Sequence, residues 1–203
     1  MPSSNLFHEN DVEEPVMKGK KIIIVHGYTA SPEKNWFPWL KEELESLGAI
    51  VTVPAMPESN FPDPQKWQQH LLNSHIQFDE DTILIGHSLG CVTVLRFLEQ
   101  QVPQGVKIGG YVLVAGFDHN LETLPSLESH TEVLLDYRKL THIANKRISL
   151  ISSNDRVVEP QASKDLACAL QADIVIEENA GHFLDREGYT EFQTLLNILK
   201  TQF

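Results

Sequence analysis

Six short runs rich in β-branched residues punctuate the chain: Ile22–Val25, Ile50–Val53, Thr82–Ile85, Tyr111–Ala115, Ile148–Ser152 and Ile174–Glu177. Short, largely apolar runs of this kind are how strands covered on both faces read. The segments between them carry a helical period. Phe37, Leu40, Leu44 and Leu47 form one stripe, which stops at Gly48, a residue suited to a helix C-terminus. Cys91, Val92, Leu95 and Leu98 form a second. Pro160 opens a third, with Ala162, Leu166, Ala169 and Leu170 on its apolar face, and Tyr189, Phe192, Leu196 and Leu199 mark the last. A weaker helix is expected from Trp67 to about Ile76. Strands alternating with helices in this way predict an α/β protein, a mostly parallel six-stranded sheet between two helical layers.

The chain has 203 residues, 41% of them hydrophobic, enough for one domain with its own core. That domain is expected over residues 20–203. Residues 1–19, acidic and holding Pro2 and Pro15, read as a flexible extension. They lack an apolar core behind a basic start, so no secretory signal is expected, and no run reaches membrane-spanning length. A cytoplasmic location is the expectation. With 28 acidic against 16 basic residues the formal charge is -12, which argues against nucleic acid or an anionic membrane as partner. Cys91 and Cys168 lie far apart without CxxC spacing, so neither a disulfide framework nor a metal site is implied, and both read as small hydrophobes on helices.

In a parallel sheet the carboxyl ends of the strands open onto one edge, where ligands bind. The loop after the third run reads Gly86-His-Ser-Leu-Gly90, a G-x-S-x-G pattern placed between a strand and a helix. Such a turn passes through a strained backbone angle at the serine and leaves no space for side chains at the flanking glycines. It lifts the Ser88 hydroxyl above the sheet edge and aims the first free helix N–H groups at the same space.

A serine nucleophile needs a base, and the base needs an orienting carboxylate. Of nine histidines, His182 stands in the short turn after the last strand and is the choice for the base. His26 is expected to brace its own loop, and His87 to point away from Ser88. Asp155, just past the fifth strand, is the carboxylate favoured by the chain order Ser, Asp, His, with Asp118 as the alternative. Asp185 reads as a helix-entry or surface charge. The second oxyanion donor is expected from the loop His26-Gly27-Tyr28-Thr29: Tyr28 N–H first, Thr29 N–H second, with Leu89 N–H on the serine side. Trp36, Phe37, Trp39 and Trp67 read mainly as core. Tyr28, Phe117 and Phe183, with Thr29 and His119, are the tentative pocket residues.

The stretches "IIIVHGYTASPEKNWFPWLKEEL", "GHSLGCVTVLRFLE", "NDRVVEP" and "GHFLDREG" together resemble the small serine hydrolases of the α/β-hydrolase superfamily related to retinoblastoma-binding protein 9, and look closest to its bacterial members. The resemblance implies strand order 2-1-3-4-5-6, the triad Ser88, Asp155 and His182, and no cofactor. The Leu-x-Cys-x-Glu signature of retinoblastoma-protein binding is absent, since "LGCVT" and "LACAL" lack its acidic residue. Larger superfamily members insert a cap after the strand ending here at Ala115. Only Phe117–Arg147 is available for one, so the expected substrate is a small acyl ester, cleaved in the manner of a carboxylesterase. An amidase or aminopeptidase-type hydrolase, or a hydrolase-shaped interaction module without catalysis, are the alternatives. Ester, thioester and amide pass through the same tetrahedral geometry, and the oligomeric state is left open.

Overall fold

The computed structural model describes residues 14–203. Its six strands are β1 (Lys21–Val25), β2 (Ile50–Thr52), β3 (Thr82–His87), β4 (Ile108–Val114), β5 (Ala144–Ser152) and β6 (Asp173–Glu177). All neighbours pair in parallel, in the order β2-β1-β3-β4-β5-β6. Six helices connect or follow them: α1 (Phe37–Ser46), α2 (Pro64–Leu72), α3 (Leu89–Gln101), α4 (Tyr137–His142), α5 (Pro160–Ala169) and α6 (Gln193–Gln202). The expected three-layer α/β/α architecture and strand order are therefore both present.

Side-chain alternation along the central strands divides the core in two. Ile22, Ile24, Ile83, Ile85, Val112 and Val114 face α1 and α6. Leu84, Tyr111 and Leu113 face α2, α3, α4 and α5 on the other side. Successive side chains on a strand point to opposite faces, so a central strand must be apolar throughout to be covered twice. The edge strands depart from this pattern. Ile50 on β2 and Ile174 and Ile176 on β6 are exposed, because an edge strand lacks a helical cover over part of its width.

Trp36, Phe37 and Trp67 are fully buried, as their helical spacing implies. The stretch Phe117–Arg147 holds a 3₁₀ turn at Pro125–His130 and the short α4, with no large cap. Two helix boundaries move. The weak second helix runs from Pro64, capped by the Asp63 carboxylate accepting from Lys66 N–H at 2.9 Å, and stops at Leu72. The last helix starts at Gln193, because the segment before it is spent on a 3₁₀ turn at Asp185–Glu187 and on an aromatic cluster.

The packed chain also begins earlier than Lys20, while residues 1–13 of the extension lie outside the described residues. Met17 is wholly buried with Ile22 and Ala49, and its N–H donates to Leu47 O at 2.9 Å. This turn closes the amino end of β1 against the end of α1. Met17→Ala is expected to lower unfolding free energy by about 2–4 kcal/mol, read as a lower urea midpoint at unchanged slope.

Candidate active site

The strand ends are level. Val25 of β1 pairs with Gly86 of β3, His87 with Val114 of β4, Val114 with Leu150 of β5, and Ser152 with Glu177 of β6. Every loop considered from sequence therefore leaves the same edge. The helices after β1 and β3 pack on opposite faces, so the crevice opens between those two strands.

Ser88 sits at φ 55° and ψ -120°, a conformation that L-residues rarely adopt, at the start of α3. The glycines make this turn possible. A Cβ on Gly90 would lie 2.1 Å from Val25 O, and one on Gly86 would lie 2.6 Å from Cys91 Cα, both backbone atoms that cannot swing aside. Gly27 is equally close to the elbow, with Ser88 Cβ 3.2 Å and Leu89 N 3.5 Å from the place a side chain would start. Gly27, the residue before Tyr28, is thus brought against Leu89 N. Thr29 N–H is committed to Ser59 O at 2.8 Å, which removes it as an oxyanion donor. Among the described residues neither Tyr28 N–H nor Leu89 N–H has an acceptor.

His182 and Asp155 meet in the loops after β6 and β5. His182 Nδ1 bonds Asp155 Oδ2 at 2.8 Å, with both side chains almost fully buried. Asp155 Oδ1 accepts from Val157 N–H at 2.9 Å and Val158 N–H at 3.0 Å, so the carboxylate is held on both oxygens. The bond to Nδ1 leaves Nε2 of His182 for the cavity that it shares with Ser88. Among the described residues no hydrogen bond joins the Ser88 hydroxyl to His182. Asp118 does not compete for this histidine: its carboxylate bonds His119 Nδ1 at 2.6 Å and takes a short hydrogen bond from the Tyr137 hydroxyl, which ties the loop after β4 to α4.

The supports around His182 include groups that sequence reasoning passed over. His87 Nε2–H donates to His182 O at 2.9 Å from beneath the loop, with the two rings 5.1 Å apart. The His87 ring packs against Trp36 and Phe37 and makes no hydrogen bond to Ser88 among the described residues. Its burial, reinforced by the adjacent His182 ring, pushes its pKa down to about 3. Glu187 Oε1 accepts from His182 N–H at 2.9 Å and from Leu184 N–H at 3.3 Å, and Asn154 Oδ1 accepts from Gly181 N–H at 2.8 Å. His26 braces its loop: Nδ1–H donates to Gly27 O at 2.9 Å and Nε2 accepts from Met56 N–H at 3.0 Å. Burial lowers its pKa, which suits an unprotonated acceptor nitrogen.

The cavity at the elbow measures about 360 Å³. Tyr28, Thr29, His87, Ser88 and His182 line it together with Leu124, Val157 and Leu184, and Lys34, Asn35, Asp185 and Arg186 surround the mouth. Three tentative wall residues are not there. Phe117 is buried in the layer of α3 and α5, because the loop after β4 turns inward where Gly116 O accepts the Ser163 hydroxyl at 2.6 Å. Phe183 has φ 57° and turns into the opposite layer, stacked on Phe192 at 5.1 Å, which leaves Leu184 as the wall. His119 is 71% exposed and faces outward. Cys91, under the elbow, gives its thiol to Val114 O at 3.4 Å, and burial raises its pKa, so it is a poor second nucleophile. Cys168, expected to be a packed hydrophobe, is exposed.

A family model described as Serine hydrolase matches residues 22–201. The chain belongs to this serine hydrolase family. YdeN of Bacillus subtilis (strain 168) is 36% identical to the hydrolase over 184 residues, 91% of this chain and 96% of the relative. The serine hydrolase RBBP9 of Rattus norvegicus is 22% identical over 188 residues, 89% and 94% of the two chains. The crystal structure of the ydeN gene product superposes with a TM-score of 0.87, covering 90% of this chain and 98% of that one. Est1E from Butyrivibrio proteoclasticus with bound ferulic acid shares the fold, with a TM-score of 0.70 at 15% identity, covering 92% and 90% of the two chains. Among the described residues of the hydrolase no helix is long and apolar enough to cross a membrane.

The buried His87 also sets a pH dependence of stability. Its folded pKa of about 3 lies below the ordinary 6.5, so the unfolded chain takes up this proton first as pH falls. The stabilisation is whole above pH 6.5 and is lost steadily towards pH 3, by up to about 1.4 kcal/mol per pH unit. His87→Gln keeps an N–H donor for His182 O but does not titrate. Urea midpoints measured between pH 6.5 and 4 should therefore fall less steeply for the variant than for wild type.

Proposed function

We propose that this serine hydrolase cleaves small acyl esters through an acyl-enzyme, in the manner of a carboxylesterase. The observation that carries the reading is the His182 Nδ1–Asp155 bond of 2.8 Å, buried beside the strained Ser88 in one cavity. Held from Nδ1, the imidazole has a single tautomer in which Nε2 carries the lone pair. His182 Nε2 takes the Ser88 proton as Oγ forms a bond to the substrate carbonyl carbon. The carbonyl electron pair moves onto its oxygen, which Tyr28 N–H and Leu89 N–H stabilise. As that pair returns, the bond to the alcohol oxygen breaks and the alcohol leaves with the proton from Nε2. Water then attacks the acyl-enzyme, giving a proton to Nε2 and its oxygen to the acid product, and Ser88 recovers its proton.

The cavity volume of about 360 Å³ lies at the small end of ligand sites, and the short segment between β4 and β5 covers it with little beyond Leu124. Both features support a small acyl group. Amide cleavage uses the same groups.

A fluorophosphonate probe should label the wild-type protein on Ser88 and leave Ser88→Ala unlabelled at unchanged melting temperature. An unlabelled wild type, or equal labelling of the variant, would defeat the reading. Asp155→Asn should lower kcat on p-nitrophenyl esters by roughly 10³–10⁴-fold, since an amide in place of the carboxylate favours the wrong imidazole tautomer.

A further inference from the structure

The mouth of the cavity has a charge arrangement that the chemistry above does not use. Asn35, on the stretch after β1, and Asp185, after β6, clasp one another at its rim: Asp185 N–H donates to Asn35 Oδ1 at 2.9 Å, and Asn35 N–H to Asp185 Oδ2 at 3.4 Å. Asp185 Oδ1 also accepts from Arg186 N–H at 2.7 Å. The carboxylate is thereby taken up by backbone donors. The clasp brings the neighbours of the two residues, Lys34 and Arg186, to the rim of the same cavity. Among the described residues neither the Lys34 ammonium nor the Arg186 guanidinium has a carboxylate within salt-bridge distance or any side-chain hydrogen bond. Elsewhere, cations such as Lys21, Lys66, Arg96 and Lys146 sit against acids, as a chain with 28 acidic and 16 basic residues makes easy.

Lys34 and Arg186 outnumber the Asp185 carboxylate at this mouth, so in a protein whose net charge repels anions the mouth favours a negative group. The walls between them and Ser88 include Leu124, Val157 and Leu184, a surface for methylenes. We infer that the preferred substrate is an acyl ester whose acyl chain carries a carboxylate, its methylenes along Leu124, Val157 and Leu184 and its charge between Lys34 and Arg186. This deepens the esterase reading and rests on it for turnover, but the anion preference itself is a property of binding.

The two can therefore be separated. In Ser88→Ala, chemical-shift titrations compare monomethyl adipate with methyl hexanoate, whose acyl chains are equal in length and differ in the terminal carboxylate. The adipate ester should bind roughly three- to tenfold more tightly at low salt, the scale expected of two exposed charge contacts. The preference should shrink at high salt and vanish in Ser88→Ala with Lys34→Gln and Arg186→Gln. Equal affinities, or a preference that survives the two added substitutions, would overturn the inference. In the Ser88 protein, the ratio of kcat/KM for mono-p-nitrophenyl adipate over p-nitrophenyl hexanoate should follow the same order. An adipate preference in binding with no turnover of either ester would uphold the anion site and defeat the esterase reading instead.

Discussion

The contact between the first turn of α3 and the end of β1 governs the rest of the site. Gly90 lies so close to Val25 O that no side chain fits between them. With Gly86 pressed on Cys91 from the other side, the chain between these glycines has one way to turn, and it passes through Ser88 at φ 55°. Such a backbone costs about 1–3 kcal/mol and persists only where its surroundings over-determine it. Here they do, because β3 is paired on both sides and buried along its whole length. Ser88 N–H donates to Val114 O at 2.9 Å, so the strained residue itself extends the ladder by one more bond. Gly27, the residue before Tyr28, approaches the elbow as well, with Leu89 N 3.5 Å from the place its side chain would start. The proposed oxyanion site on this edge would thus be a by-product of packing a helix onto a neighbouring strand.

The histidine side of the cleft is held by different means. The stretch from Asn179 to Leu184 has no regular structure, and an irregular loop near a core must find acceptors for its N–H groups. It finds them in side chains: the Ser153 hydroxyl for Asn179, Asn154 for Gly181, and Glu187 for His182 and Leu184. His87 closes the arrangement from below by giving its own N–H to His182 O. The neutral ring makes this bond in the tautomer that carries its proton on Nε2, in a setting walled by Trp36 and Phe37. A charge there would be unsolvated and next to the His182 ring, which is why burial depresses its protonation so far. The loop that carries His182 thereby has partners for its N–H groups, although its own sequence is polar and glycine-containing.

What could be read from the sequence divides along the same line. The strands and the elbow have local signatures, apolar runs and two glycines around a serine, whereas Asp155 is favoured over Asp118 only by the chain order Ser, Asp, His. The extent of α6 was not legible, since Tyr189 and Phe192 carry helical spacing yet serve an aromatic cluster with Phe183. Phe117 and Phe183 were placed in the pocket because loops at an active edge usually face it. Both instead turn inward, one beside Gly116 and the other through a positive φ, and neither turn has a sequence marker. The residues at the mouth were missed for a further reason. The Asn35–Asp185 clasp joins positions 150 residues apart, and no periodicity or spacing reports such a pair.

The distribution of constraint bears on how such a fold acquires a substrate. Ser88, Gly86, Gly90 and His87 are locked by backbone contacts and burial, so a change at any of them disturbs the sheet edge as well as the chemistry. Lys34 and Arg186 are exposed, make no side-chain bonds among the described residues, and sit one position away from the clasp that sets their place. Their side chains can be exchanged without repacking anything. Catalytic geometry is thereby tied to the stability of the fold, whereas the charge presented to a substrate is not. On the proposed reading, specificity at this mouth follows from electrostatics, with Lys34 and Arg186 setting its sign.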